Sequence, residues 1–189
     1  MKHRLTVALY QYWLGSRSSL TPPNVRNMDR AAIGETIPNV FVLAGETLEA
    51  LTIDFSGAMV NRICSFDTCG ARFFDLWNEW DRDDIRNTIQ TVSALKLPML
   101  IGAAAVSDDE RAIHFEVLLL PFRKNLNILG SIVQVDEARW IKAPLGPLQV
   151  TSTRILHAEF ETPHRRFGKK SSPSAGRPTL VVYDGLKRK

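Results

Sequence analysis

The side chains best suited to acid–base, metal or nucleophilic work are four histidines, two cysteines and two short runs of acids. His3, His114, His157 and His164 are scattered, and no pair has the close spacing of a metal-binding helix or hairpin. Cys64 and Cys69 are five residues apart with no histidine pair nearby, which matches neither a zinc spacing nor a disulfide framework. They read as two small, half-buried thiols. Asp81, Asp83 and Asp84 form a carboxylate cluster of the kind used in acid–base catalysis. Their place at the start of a helical pattern makes them a cap and partners for the helix dipole instead. Asp108, Asp109 and Glu110 suit a solvated turn. Nucleophile elbow, phosphate loop, H-E-x-x-H and cyclase-type signatures are all absent from the sequence. The chain is expected not to be an enzyme, with no catalytic residue and no metal site.

The elements around these residues follow from periodicity. Leu5, Leu9, Tyr12 and Trp13 have helical spacing over residues 4–14, with Gly15 to end the helix. The broad, aromatic stripe makes this either a helix packed on the domain or a helix that forms a homodimer or meets a partner. Pro22 and Pro23 impose a loop. Asn27 or Asp29 can cap a short helix ending before Pro38. Residues 38–45 read as a short apolar strand. Leu51, Ile53 and Phe55 alternate with Thr52, Asp54 and Ser56 as in a half-buried strand. Gly57 then breaks the strand, a short helical piece follows, and Gly70 turns the chain into an aromatic patch of Phe73, Phe74, Trp77 and Trp80. Ile85, Ile89 and Val92 form one stripe of a helix. Pro98–Val106 is a strand. Residues 111–121 and 128–135 form a hairpin in which Ile113, Phe115, Val117 and Leu119 share one face. The segment 147–156 is either a closing stretch or one further strand. This order predicts an α+β fold with an antiparallel sheet. Its parts are an N-terminal helix and loop over 1–27, a domain over 28–160, and a basic, flexible tail over 161–189.

Composition is ordinary for a globular protein, with 44% hydrophobic and 23% charged residues. No apolar run is long enough for a membrane span, and the basic, apolar start reads as a helix of the mature protein rather than a signal peptide. A reducing cytoplasm suits the two thiols. The net charge of +4 is unevenly placed. From His164 onward there are eight Lys and Arg against one acid, leaving 16 basic and 19 acidic residues, a net of −3, for the rest. The body is mildly acidic. The tail, with Phe167 and Tyr183, can contact nucleic acid or another anionic partner electrostatically, although a solubilising end is the favoured reading.

The series YWLGSR (12–17), IPNVFVL (37–43), FSGAMV (55–60), GARFFDLW (70–77), FEVLLLPF (115–122), ILGSI (128–132) and PLQVTSTRIL (147–156) resembles the PAS-like proteins widespread in alphaproteobacteria. The resemblance implies a five-stranded antiparallel sheet with a helical face enclosing a pocket, and a sensory or regulatory role in signal transduction through protein partners. Where the family usually shows a Gly-Arg-Glu-like triplet, this chain has Ser65, Phe66 and Asp67. Phe55, Met59, Phe66, Phe74, Trp77, Ile89, Phe115 and Val117 are the expected lining of a cavity for a small apolar or amphipathic ligand. No cofactor is identifiable. Haem is disfavoured, because His157 lies beyond the last hairpin. A flavin photosensor is too, because its reactive position aligns near Phe73 rather than Cys64. The alternative is a ligand-free interaction adaptor in which the pocket is only core, the default reading of the aromatic patch.

Overall fold

A computed structural model of the chain describes residues 1–18, 21–24, 28–29, 31–107, 110–124, 126–135 and 145–156. Its elements are α1 (Arg4–Gly15), β1 (Val40–Ala44), β2 (Thr52–Ser56), α2 (Ala58–Cys64), α3 (Arg82–Leu95), β3 (Met99–Val106), β4 (Ala112–Pro121), β5 (Ile128–Gln134) and β6 (Gln149–Ile155). All paired strands run antiparallel, in the order β2-β1-β5-β4-β3-β6. The fold is α+β with an N-terminal helix, but the sheet has six strands rather than five. The sixth is the 147–156 segment, paired to β3 from Met99↔Ile155 to Ala104↔Gln149.

The alternation of β4 divides the protein into two cores. Ile113, Phe115, Val117 and Leu119 face α2, α3 and the aromatic turns, in one cluster with Leu43, Ile53, Ile85, Ile89 and Val92. Leu118 and Leu120 face the other way, into a second cluster with Leu9, Tyr10 and Trp13 of α1. Both faces of the sheet are therefore covered at this end. Trp13 also donates its indole N–H to the Pro121 carbonyl at 3.0 Å. Leu9 and Trp13 are fully buried within their own chain, while Leu5 and Tyr12 are half-buried.

Two local expectations change. The stretch before Pro38 is not an α-helix. A turn at 31–33 leads into a 3-10 helix, Gly34–Asn39, that contains Pro38 near its end. Phe55 also changes face. The pairing of β1 with β2 slips between Val42↔Phe55 and Leu43↔Ile53, so Asp54 is an extra, bulged residue. One extra residue reverses the side-chain alternation, and Phe55 packs against the α1-side core rather than the inner one.

Candidate functional site

The helical face is built from short pieces, each stopped by a particular residue. Gly57 opens α2, and Ser65, in the left-handed region at φ 65°, ends it and swings the chain outward. The loop that follows is held by Asn61. Its Oδ1 accepts from Ser56 Oγ at 2.8 Å, Thr68 N at 3.1 Å and Thr68 Oγ1 at 2.8 Å. Its Nδ2 donates to Asp67 Oδ1 at 3.3 Å. Asp67 also accepts from Cys69 N at 3.1 Å, closing an Asx turn. The sequence reading missed Asn61, because a lone asparagine inside a helical pattern carries no signal of its own.

A 3-10 turn over Phe73–Leu76 then lays the rings onto the sheet. Phe73 contacts Phe41 (centroids 5.4 Å apart), Phe74 (6.2 Å) and Trp77 (6.0 Å). The Arg86 guanidinium sits 4.9 Å from the Phe74 ring centre. Of the expected lining residues, Phe74, Trp77, Ile89, Phe115 and Val117 come together in the inner core. They are packed there against one another and their neighbours. Met59 is half-buried in α2, Phe66 is half exposed, and Phe55 lies on the other side of the sheet. The expected set therefore does not form one wall. Trp77 Nε1 is buried and finds no acceptor among the described residues. Leaving such a donor unpaired costs about 1–3 kcal/mol.

The concave site on this face lies at its margin. A cleft of about 230 Å3 is bounded by Ile63, Cys64 and Phe66 from α2 and its loop, Leu76 from the 3-10 turn, Ala105 of β3, and the segment Leu145–Leu148. That segment is pinned by Gly146 N to Val106 O at 2.9 Å, Leu148 N to Leu76 O at 2.9 Å and Asn78 N to Leu148 O at 2.8 Å. The walls are largely apolar. Burial pushes the Cys64 thiol up to about 11, so it is a neutral thiol near pH 7 rather than a nucleophilic thiolate. Asp75 stands at the rim, with a carboxylate oxygen 3.9 Å from Arg82 Nη1. Such a space suits binding of a small apolar group. Among the described residues, no three His, Cys, Asp or Glu side chains converge as a metal ion would require.

Asp81 has a different task from the one expected. It occupies the N-cap position of α3 but makes no side-chain cap bond; its Oδ2 accepts from Val150 N of β6 at 2.9 Å. His114 is exposed. His157, His164, the acids Asp108 and Asp109 and the basic tail lie outside the described residues.

An antiparallel sheet backed by short helices, with rings closing its inner face and a cleft at its margin, defines a small α+β domain. The chain belongs to the PAS-domain family, whose model matches residues 1–133. PAS domains as a class are sensory and regulatory modules that commonly mediate protein interactions. No curated protein and no solved structure matches the chain. No helix among the described residues is long and apolar enough to cross a membrane.

Proposed function

We propose that this chain is a non-catalytic sensory and regulatory protein that acts in signal transduction by binding a protein partner on its helical face. The observation that carries this reading is the fate of the rings there. Phe73, Phe74 and Trp77 are closed into the core, whereas Phe66 is 50% and Trp80 89% exposed. Trp80 is held on a short 3-10 turn whose N-cap, Asn78, accepts from Trp80 N at 3.1 Å. Tryptophan is enriched among the residues that anchor interfaces, and this one is presented to solvent on a capped turn. The cytoplasm is the proposed setting, in keeping with two free thiols.

Two versions follow. In the sensory version a small apolar ligand enters the cleft beside Cys64, and because Phe66 belongs to both cleft and surface, occupancy shifts the population of partner-binding forms. In the adaptor version the domain carries no ligand; the packing of Phe74, Trp77, Ile89, Phe115 and Val117 supports it. The basic tail would then add contact to nucleic acid or another anionic partner. The burial of Leu9 and Trp13 under the sheet speaks against α1 as a free dimerising helix.

The test places a photo-crosslinking amino acid at 66, 80 and, as background, Glu35, which is exposed and ion-paired to Arg4 of α1. The proposal expects a distinct crosslinked protein from 66 and 80; identical products from all three positions would refute it. Native mass spectrometry of freshly purified chain separates the versions. A retained mass removed by filling the cleft (Ala105→Phe) supports the sensory one, and the bare sequence mass supports the adaptor.

A further inference from the structure

On the α1 side of the sheet, beyond the N-terminal end of α1, lies a second concavity of about 630 Å3. Its polar wall comes from an irregularity in β6. The pairing with β3 passes from Gly102↔Ser152 to Ala103↔Val150, which leaves Thr151 as an extra residue. A bulge re-aims side chains, and here it turns two consecutive hydroxyls to one face. A Cβ built on Gly102 would lie 2.5 Å from Ser152 Oγ and 2.9 Å from Thr151 Oγ1. Because Ile101 and Ala103 on either side fill the inner core, that point is on the α1 side. Arg154, two residues beyond Ser152, pairs with Leu100, whose side chain belongs to the α1-side core, so the guanidinium stands on the same face. Among the described residues Arg154 makes no ion pair.

One carboxylate also borders the cleft. Glu116, opposite Gly102 on β4, is only 6% exposed. Its charge is already engaged: Lys2 N donates to Oε1 at 2.6 Å, His3 N donates to Oε2 at 3.2 Å, and the Met1 amino group lies 4.0 Å from Oε1. Those groups hold it against the start of α1, and Arg154 and Lys2 remain as the cations facing the space. Leu100 and Val135 supply an apolar floor.

We propose that this cleft binds a small amphipathic anion, with its carboxylate or phosphate head on Arg154 and the hydroxyls of Thr151 and Ser152 and its apolar body on Leu100 and Val135. A guanidinium fork beside two hydroxyl donors matches the acceptors of an oxyanion. The volume falls within the range of about 300–1,000 Å3 common to small-molecule sites. The site lies on the face of the sheet opposite the partner-binding surface, and neither reading depends on the other.

The test titrates isotope-labelled full-length chain with octyl phosphate, octanoate and, as a neutral control, octanol, following amide resonances. The proposal expects saturable shifts at Gly102, Thr151, Ser152 and Arg154 from one or both anions and none from octanol. Response to both heads identifies an oxyanion site, and response to one alone identifies the head. Arg154→Gln, a change at an exposed position, should weaken binding about tenfold or more while the rest of the spectrum is kept. Gly102→Ala, which pushes the two hydroxyls aside, should weaken it too. Absence of saturable shifts with either anion would overturn the proposal. So would equal binding of octanol, or unchanged affinity in both folded variants.

Discussion

At the scale of single residues, Gly57 is fixed by contact rather than by conformation. It joins β2 to α2 where the 3-10 helix crosses, and its N–H donates to Val40 O at 2.8 Å. A Cβ there would meet Ile37 O at 2.2 Å and Pro38 O at 2.4 Å, both backbone atoms with nowhere to swing. Gly57→Ala is expected to cost about 1–3 kcal/mol, as overpacking does, seen as a lower urea midpoint with an unchanged slope. An unchanged midpoint would mean that the crossing relaxes freely. Cys64 offers a second residue-level test. Its thiol is raised from 9.0 to about 11 by burial, so at pH 8 only about one molecule in a thousand is the thiolate. In a Cys69→Ser variant, alkylation should be very slow at pH 8 and rise about tenfold per pH unit towards 11. Because the folded value is the higher one, the thiol's contribution to stability is complete below pH 9 and is lost as pH climbs through about 11. Fast labelling of the variant at pH 8 would refute the buried, neutral thiol.

At the scale of elements, Asp81 ties α3 to β6. The carboxylate's bond to Val150 N spans 69 residues of sequence, whereas a cap bond would have stayed within α3. Asp81→Ala should therefore destabilise by about 1–3 kcal/mol, the range for losing a charged partner. Val150 amide exchange should accelerate and the first turn of α3 change little; the reverse pattern would restore the capping role. Such long-range partners explain which elements could be read in advance. The hairpin of β4 and β5 and the Ile85–Ile89–Val92 stripe were legible because burial imposes a period of 2 or 3.6 on the residues. The β6 strand was legible only as one of two alternatives, since six of its seven residues are exposed and only its backbone, paired to β3, makes it a strand. Phe55 was assigned to the wrong face because alternation continues through a bulge in the sequence but not in space. For the candidate site, the aromatic layer was readable as a wall. Its closure into core was legible as the default for so many rings, but which of them close was not, because the packing is set by residues from every strand of the inner face and from α2 and α3 together. The cleft beside Cys64 depends on Leu145–Leu148, which no periodicity marks.

At the scale of the whole molecule, the sheet has two ends to protect. An open edge of paired-looking backbone invites association with another chain. At the β2 end, the chain after Gly70 covers the edge: Gly70 N donates to Ile53 O at 2.8 Å, Ile53 N donates to Ala71 O at 3.0 Å, and Thr52 bridges to Arg72. At the other end, β6 covers β3. The family match ends at residue 133, within β5, so β6 lies beyond it. Without β6, the edge would be Met99–Val106, eight residues without a charge, whose Leu100 and Ile101 face opposite cores. β6 in that position is bulged, rich in Thr and Ser, and bears Arg154, features that discourage further pairing. A chain ending at residue 156 should therefore run in size-exclusion chromatography as a single species free of aggregate and melt within a few degrees of the full-length protein. One ending at residue 135 should aggregate, and substituting Lys for Val106, exposed on that strand, in the shortened chain should reduce the aggregation by charging the bared edge. If the 135-residue chain instead ran as a monomer with the parent's melting temperature, β6 would be an accessory to the sheet rather than its guard.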